Sequence, residues 1–135
     1  MKPKFRAWWI QDEVMTHIDT LEFLQGGIRV SDGCWHEKFL GDEVILMQST
    51  GFKDKNGTEI FVGDIVIHTQ KSINYGDVYH NDYAEVFQQQ NGAYRIRGKH
   101  IYEMDAFCNR KRLEMVGNIF ENVELLDHDS FTTEK

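Results

Sequence analysis

The residues best suited to grip another molecule lie between Tyr94 and Arg112. Tyr94, Arg95, Arg97, Lys99, His100 and Tyr102 interleave aromatic and basic side chains, and Arg110-Lys111-Arg112 follows. Aromatic faces stack bases and cations track phosphates, so this pattern suits a small barrel that binds nucleic acid. From Arg95 to Arg112 the segment is net +4, whereas Glu114 to Lys135 is net −5. The plainer reading puts Tyr94 and Ile96 in a core, with Arg95 and Arg97 on the wet face of a strand.

A second cluster is apolar. Phe5, Trp8, Trp9 and Ile10 stand almost side by side. A strand with one buried face needs apolar residues only at alternate positions, yet Trp8, Trp9 and Ile10 point both ways. Burial on both sides suggests a protein interface, with a second copy or an unidentified protein as partner. The barrel of the same chain could cover one side instead.

Metal and covalent chemistry have less support. The histidines are His17, His36, His68, His80, His100 and His128. Cys34-Trp35-His36 and the pair His80 and Asp82 place ligand types two apart, but neither has the spacing of a zinc site. No metal and no cofactor are expected. Cys34 and Cys108 are too few for a disulfide framework and fit free thiols in a reducing cytoplasm. Arg110-Lys111-Arg112 could lower the Cys108 thiol pKa. Asp54, Glu59 and Asp64 could meet in space, though turn carboxylates usually cap turns. No GxSxG, HExxH, Walker A or GxGxxG motif is present, and the expectation is a protein that is not an enzyme.

Elements must position these groups, and composition bounds them. The chain has 135 residues and a net charge of −7, with 41% hydrophobic and 27% charged residues. That is globular composition, long enough for a core without disulfides. The acidic total argues against a surface coated all round by nucleic acid. No run of about 20 apolar residues exists, so no membrane span is expected, and the start carries no apolar signal segment.

One proline against eleven glycines makes the turns glycine and Asn/Asp turns. Residues 5–10 and 14–18 read as a hairpin, and 21–24 with 28–30 as another. Residues 34–40 show no period. Residues 44–48 read as a buried strand and 65–69 as a β-branched one. Asn56-Gly57 and Asn91-Gly92 read as hairpin turns of type I′. Residues 77–79 and 84–88 read as two weak strands, 93–97 and 113–119 as further strands, and 121–126 as one helical turn. Short strands with glycine turns predict a small barrel.

Three stretches carry a family resemblance. They are Lys4-Phe5-Arg6-Ala7-Trp8, then Leu46-Met47-Gln48-Ser49-Thr50-Gly51-Phe52-Lys53-Asp54-Lys55-Asn56-Gly57-Thr58-Glu59-Ile60 through Gly63-Asp64-Ile65-Val66, and Val116-Gly117-Asn118-Ile119-Phe120-Glu121-Asn122. In order and spacing they resemble the YopX family of small phage and prophage proteins, from residue 4 to about 126. Trp9, where the family usually turns polar, and Val123, where it often has proline, depart from the pattern. The resemblance implies an N-terminal sheet element, an SH3-like barrel and plausible oligomers, without an established activity.

The expected protein is therefore mainly β. Residues 1–42 form an N-terminal β arm with an oligomerisation role, 43–127 an SH3-like barrel with a short C-terminal helical turn, and 128–135 a polar, frayed tail. The expected role is a non-enzymatic accessory protein in the cytoplasm of a bacterial host, acting by protein interaction or self-association. Nucleic-acid binding through Tyr94, Arg95, Arg97, Lys99, Tyr102, Arg110, Lys111 and Arg112 is the alternative.

Overall fold

The computed structural model describes residues 4–31, 37–39 and 43–134. The chain is mainly β and divides into two compact units, Met1–Ser49 and Thr50–Lys135. The Cys34-Trp35-His36 triplet lies outside the described residues.

In the first unit β1 (Phe5–Trp9) pairs with β2 (Val14–His17) as a hairpin, Trp8 opposite Met15. β3 (Thr20–Leu24), β4 (Gly27–Ser31) and β5 (Glu37–Phe39) form an antiparallel meander. β5 falls where the sequence shows no period, because three residues are too few to display one. β6 (Val44–Lys53) begins beside β1, with Trp8 opposite Ile45 and Trp9 opposite Val44. Strand alternation then sends Ala7, Trp9 and Val44 to one face, where they pack with Val30.

β6 carries the chain into the second unit and pairs there with β7 (Glu59–Phe61). β8 (Asp64–Lys71), β9 (Val78–Gln88), β10 (Tyr94–Gly98) and β11 (Ile101–Asp105) follow as an antiparallel meander. A 3-10 turn at Arg110–Arg112 leads into β12 (Leu113–Asn118), which returns to pair with β8. The order is β11-β10-β9-β8-β12, curled into a half-barrel. Its concave core holds Ile60, Val66, Val86, Ile96 and Leu113, with Phe52, Tyr94 and Met115 packed against them. A second 3-10 turn, Val123–Asp127, stands where one helical turn was expected.

Three expectations are corrected. Both Asn-Gly turns are three-residue loops, not type I′ turns. In the first, the Gly57 N–H donates to the Asp54 carbonyl at 3.1 Å and the Asp54 N–H to the Thr58 carbonyl at 2.8 Å. In the second, Gly92 and Gln89 do the same with Gln89 and Ala93. Only the glycine of each pair takes positive φ, +83° at Gly57 and +91° at Gly92. This is a type I turn closed by a glycine bulge.

Second, residues 78–88 are one strand rather than two. The polar stretch His80-Asn81-Asp82 does not interrupt it because Asn81 and Asp82 are matched. The Thr69 hydroxyl donates to the buried Asn81 Oδ1 at 2.7 Å, and the Ser130 hydroxyl donates to Asp82.

Third, the tail forms β13 (Phe131–Glu134), antiparallel to the start of β9. Asn81 Nδ2 donates to the Phe131 carbonyl and the Thr133 hydroxyl, both at 3.2 Å, and Phe131 packs on Tyr83. Those long-range bonds were invisible in a polar tail sequence.

Candidate functional site

The turn chemistry of residues 51–66 builds one wall of the site. Asp54 Oδ1 accepts the N–H groups of Asn56 and Thr58, each at 2.9 Å. Its Oδ2 accepts the Met115 N–H at 2.8 Å, and the Lys55 N–H donates to the Leu113 carbonyl at 3.0 Å. The 54–57 turn is thereby tied to the start of β12, next to the 3-10 turn. That turn is closed from below: the Cys108 N–H and Asn109 Nδ2 donate to Asp105, each at 2.7 Å, and the Arg112 N–H to the Asn109 carbonyl at 2.8 Å.

Two adjoining clefts result. One is lined by Lys55, Thr69, Gln70, Lys71, Tyr79, Lys111 and Arg112. The other is lined by Gly51, Phe52, Lys53, Asp54, Lys55, Gly57, Arg110 and Lys111. They share Lys55 and Lys111. Six cations thus line one surface of an acidic chain, and the one carboxylate among the lining residues, Asp54, is spent on three backbone amides. Lys55 reaches Glu114 at 3.7 Å, and the Arg110 guanidinium lies 4.0 Å over the Phe107 ring. Among the described residues no ion pair engages Lys53, Lys71, Lys111 or Arg112. Unpaired cations in a concave surface focus a positive potential.

The structure splits the stripe expected between residues 94 and 112. Arg110, Lys111 and Arg112 join the clefts. The others do not. Tyr94 packs edge-on against Phe52 on the core side. Arg95 donates to the Glu103 carbonyl at 2.9 Å. Arg97 reaches Glu85 at 3.6 Å and lies over the Phe87 ring. Lys99 holds Asp129 at 2.9 Å, with His100 at 3.6 Å from the same carboxylate, and the Lys99 bond keeps that carboxyl below its usual range. Tyr102 is exposed on β11. Sequence reasoning missed Lys53, Lys55, Lys71 and Tyr79. They flank turns some 30 to 60 residues from Arg112 in the chain, and only the β8–β9–β12 pairing and the tie of Asp54 to Met115 bring them to one place. The available signal was the Lys-rich turn Lys53-Asp54-Lys55.

The apolar cluster also divides. Trp9 belongs to the buried core of the first unit, whereas Phe5 and Trp8 are half-buried and Ile10 is exposed. On the outer face Trp8 sits between Met15 and Ile45, its two cross-strand neighbours.

Chemistry of other kinds finds less. No group of three or more His, Cys, Asp and Glu among the described residues could hold a metal ion. Asp64 closes its turn by accepting the Phe61 N–H at 2.8 Å. Cys108 is exposed, and the expected lowering of its pKa is reversed. The hydrogen bond to Asp105 and that carboxylate's charge hold the thiol above its usual range, and Arg110 only partly offsets them. No helix among the described residues is long and apolar enough to cross a membrane.

The family model described as YopX protein matches residues 4–127. The crystal structure of protein EF1440 from Enterococcus faecalis is similar, with a TM-score of 0.60 and 25% identity, covering 93% of this chain and 99% of that one. No curated protein matches the chain.

Proposed function

The chain belongs to the YopX family, and we propose that this member is a non-enzymatic binding protein that holds the phosphate backbone of a nucleic acid along the two basic clefts of its second unit. The observation that carries this reading is the meeting of Lys53, Lys55, Lys71, Arg110, Lys111 and Arg112 on one concave surface, with the lining carboxylate consumed by backbone amides. A surface of this kind exchanges condensed counterions for lysine and arginine contacts, and its affinity falls steeply with salt. The bacterial phage or prophage setting that the resemblance implies supplies such a ligand.

The test is fluorescence anisotropy with labelled DNA and RNA at about 50 and about 200 mM salt. Binding that weakens steeply with salt, drops in Lys71→Ala/Lys111→Ala/Arg112→Ala and survives Arg95→Ala/Arg97→Ala is expected. No binding at the lower salt overturns the reading.

A second reading is self-association through the outer face of β1. It rests on Trp8, Met15 and Ile45 standing side by side, with Ile45 39% exposed. Sedimentation across a concentration series tests it.

A further inference from the structure

The hairpin tip between β8 and β9, residues 72–77, springs from Lys71 and returns close to Tyr79, and both of these line the first cleft. Its own residues are Ser72, Ile73, Asn74, Tyr75, Gly76 and Asp77, without a cation and with one carboxylate. It therefore adds nothing to phosphate binding. What it offers is apolar surface: Ile73 is 95% exposed and Tyr75 69%. The tip is also built. The Ser72 hydroxyl accepts the N–H groups of Asn74 and Tyr75, at 3.3 and 3.2 Å. The Ser72 N–H donates to the Val78 carbonyl at 2.8 Å, and the Val78 N–H to the Tyr75 carbonyl at 3.1 Å. At an upper limit of about 3.6 Å per residue, the Ile73 Cα lies within about 7 Å of that of Lys71.

Resting on the reading above, we infer that the clefts take single-stranded nucleic acid, with Ile73 and Tyr75 as the surfaces on which unpaired bases stack. The chemistry on the page divides in two. Cations line the cleft, where a phosphate chain would run, and the hairpin tip that springs from the lining residue Lys71 carries exposed neutral side chains that projecting bases would meet. Only unpaired bases present open faces to such side chains, and stacking on them tolerates any sequence. A duplex hides those faces.

The experiment compares wild type with Ile73→Ser/Tyr75→Ser on labelled oligo(dT) and oligo(U) of about 12 nucleotides, and on a DNA duplex, at matched salt. Expected is tighter binding of wild type to a single strand than to the duplex. The double variant loses about tenfold on the single strand, with its duplex affinity, salt slope and melting temperature unchanged. Preference between the two oligonucleotides then says whether a DNA or an RNA strand is the better ligand. Equal affinity for duplex and single strand, or an unaffected double variant, overturns this inference while leaving the cleft reading intact. Absence of binding to any of the three overturns both.

Discussion

The carboxylate of Asp54 and the backbone of Met115, 61 residues apart in sequence, are joined by a 2.8 Å hydrogen bond. That bond couples a hairpin turn to the return strand of the half-barrel, and the cleft cations stand on both sides of it. Asp54 is buried and accepts three amides. Asp54→Ala leaves those donors without an acceptor, and each charge-assisted bond contributes about 1.5–3 kcal/mol. The losses overlap, so a net cost of about 3 kcal/mol is expected, read as a lower urea midpoint at unchanged m-value. A variant as stable as wild type would show the tie to be dispensable.

The same bond marks what was legible beforehand. Asp54 as an Asx-type turn residue followed from residue type alone, and the Asn56 amide does bind its Oδ1. Strands at 5–10, 44–48, 65–69 and 113–119 followed from aromatic, apolar and β-branched runs, and the observed β1, β6, β8 and β12 contain most of each, with β6 running on to Lys53 and β8 to Lys71. β13 and the unbroken β9 did not, because their polar residues are satisfied by partners about 50 residues away. The basic surface was half legible: Arg110–Arg112 announced itself as a run, while Lys53, Lys55 and Lys71 are single lysines until β8, β12 and the 54–57 turn are folded together. Strand alternation already placed Tyr94 and Ile96 toward the core and Arg97 on the wet face, as observed, whereas the pairing of Arg97 with Glu85 on the neighbouring strand could not be read from interleaving in sequence.

Gly98 is expected to tolerate no side chain. It lies at the β10 bulge, and an added Cβ would stand 2.2 Å from the Tyr83 carbonyl oxygen, a backbone atom that cannot swing away. Gly98→Ala should cost about 2 kcal/mol or more through the strain of overpacking. Gly26→Ala, with nothing within 4 Å, serves as the control and should stay within about 0.5 kcal/mol of wild type. Equal melting temperatures for the two variants would contradict the close approach.

His68 gives the fold a pH dependence of known sign. Burial, first, and the Arg112 charge hold its pKa below the ordinary value of 6.5, against the opposing Asn109 bond and Asp82. The unfolded chain therefore takes up this proton at a higher pH than the folded one. The stability linked to His68 is fully present above about pH 6.5, falls as pH drops through the window below it, and levels off under the folded pKa. Urea denaturation from pH 8 to 5 should show wild type losing more stability than His68→Gln. Parallel curves would mean that the group titrates alike in both states.

The neighbouring tryptophans should separate cleanly by mutation. Trp9 is 4% exposed and packs with Ala7, Val30 and Val44, so Trp9→Ala removes core volume and should cost about 3–5 kcal/mol. Trp8 lies on the opposite face between Met15 and Ile45. Trp8→Glu puts a charge among those apolar neighbours. If that face holds a second copy, sedimentation at high concentration should show wild type as an oligomer and the variant as a monomer with retained circular dichroism. A wild type that stays monomeric throughout would remove the self-association reading and leave the basic clefts as the working surface of the molecule.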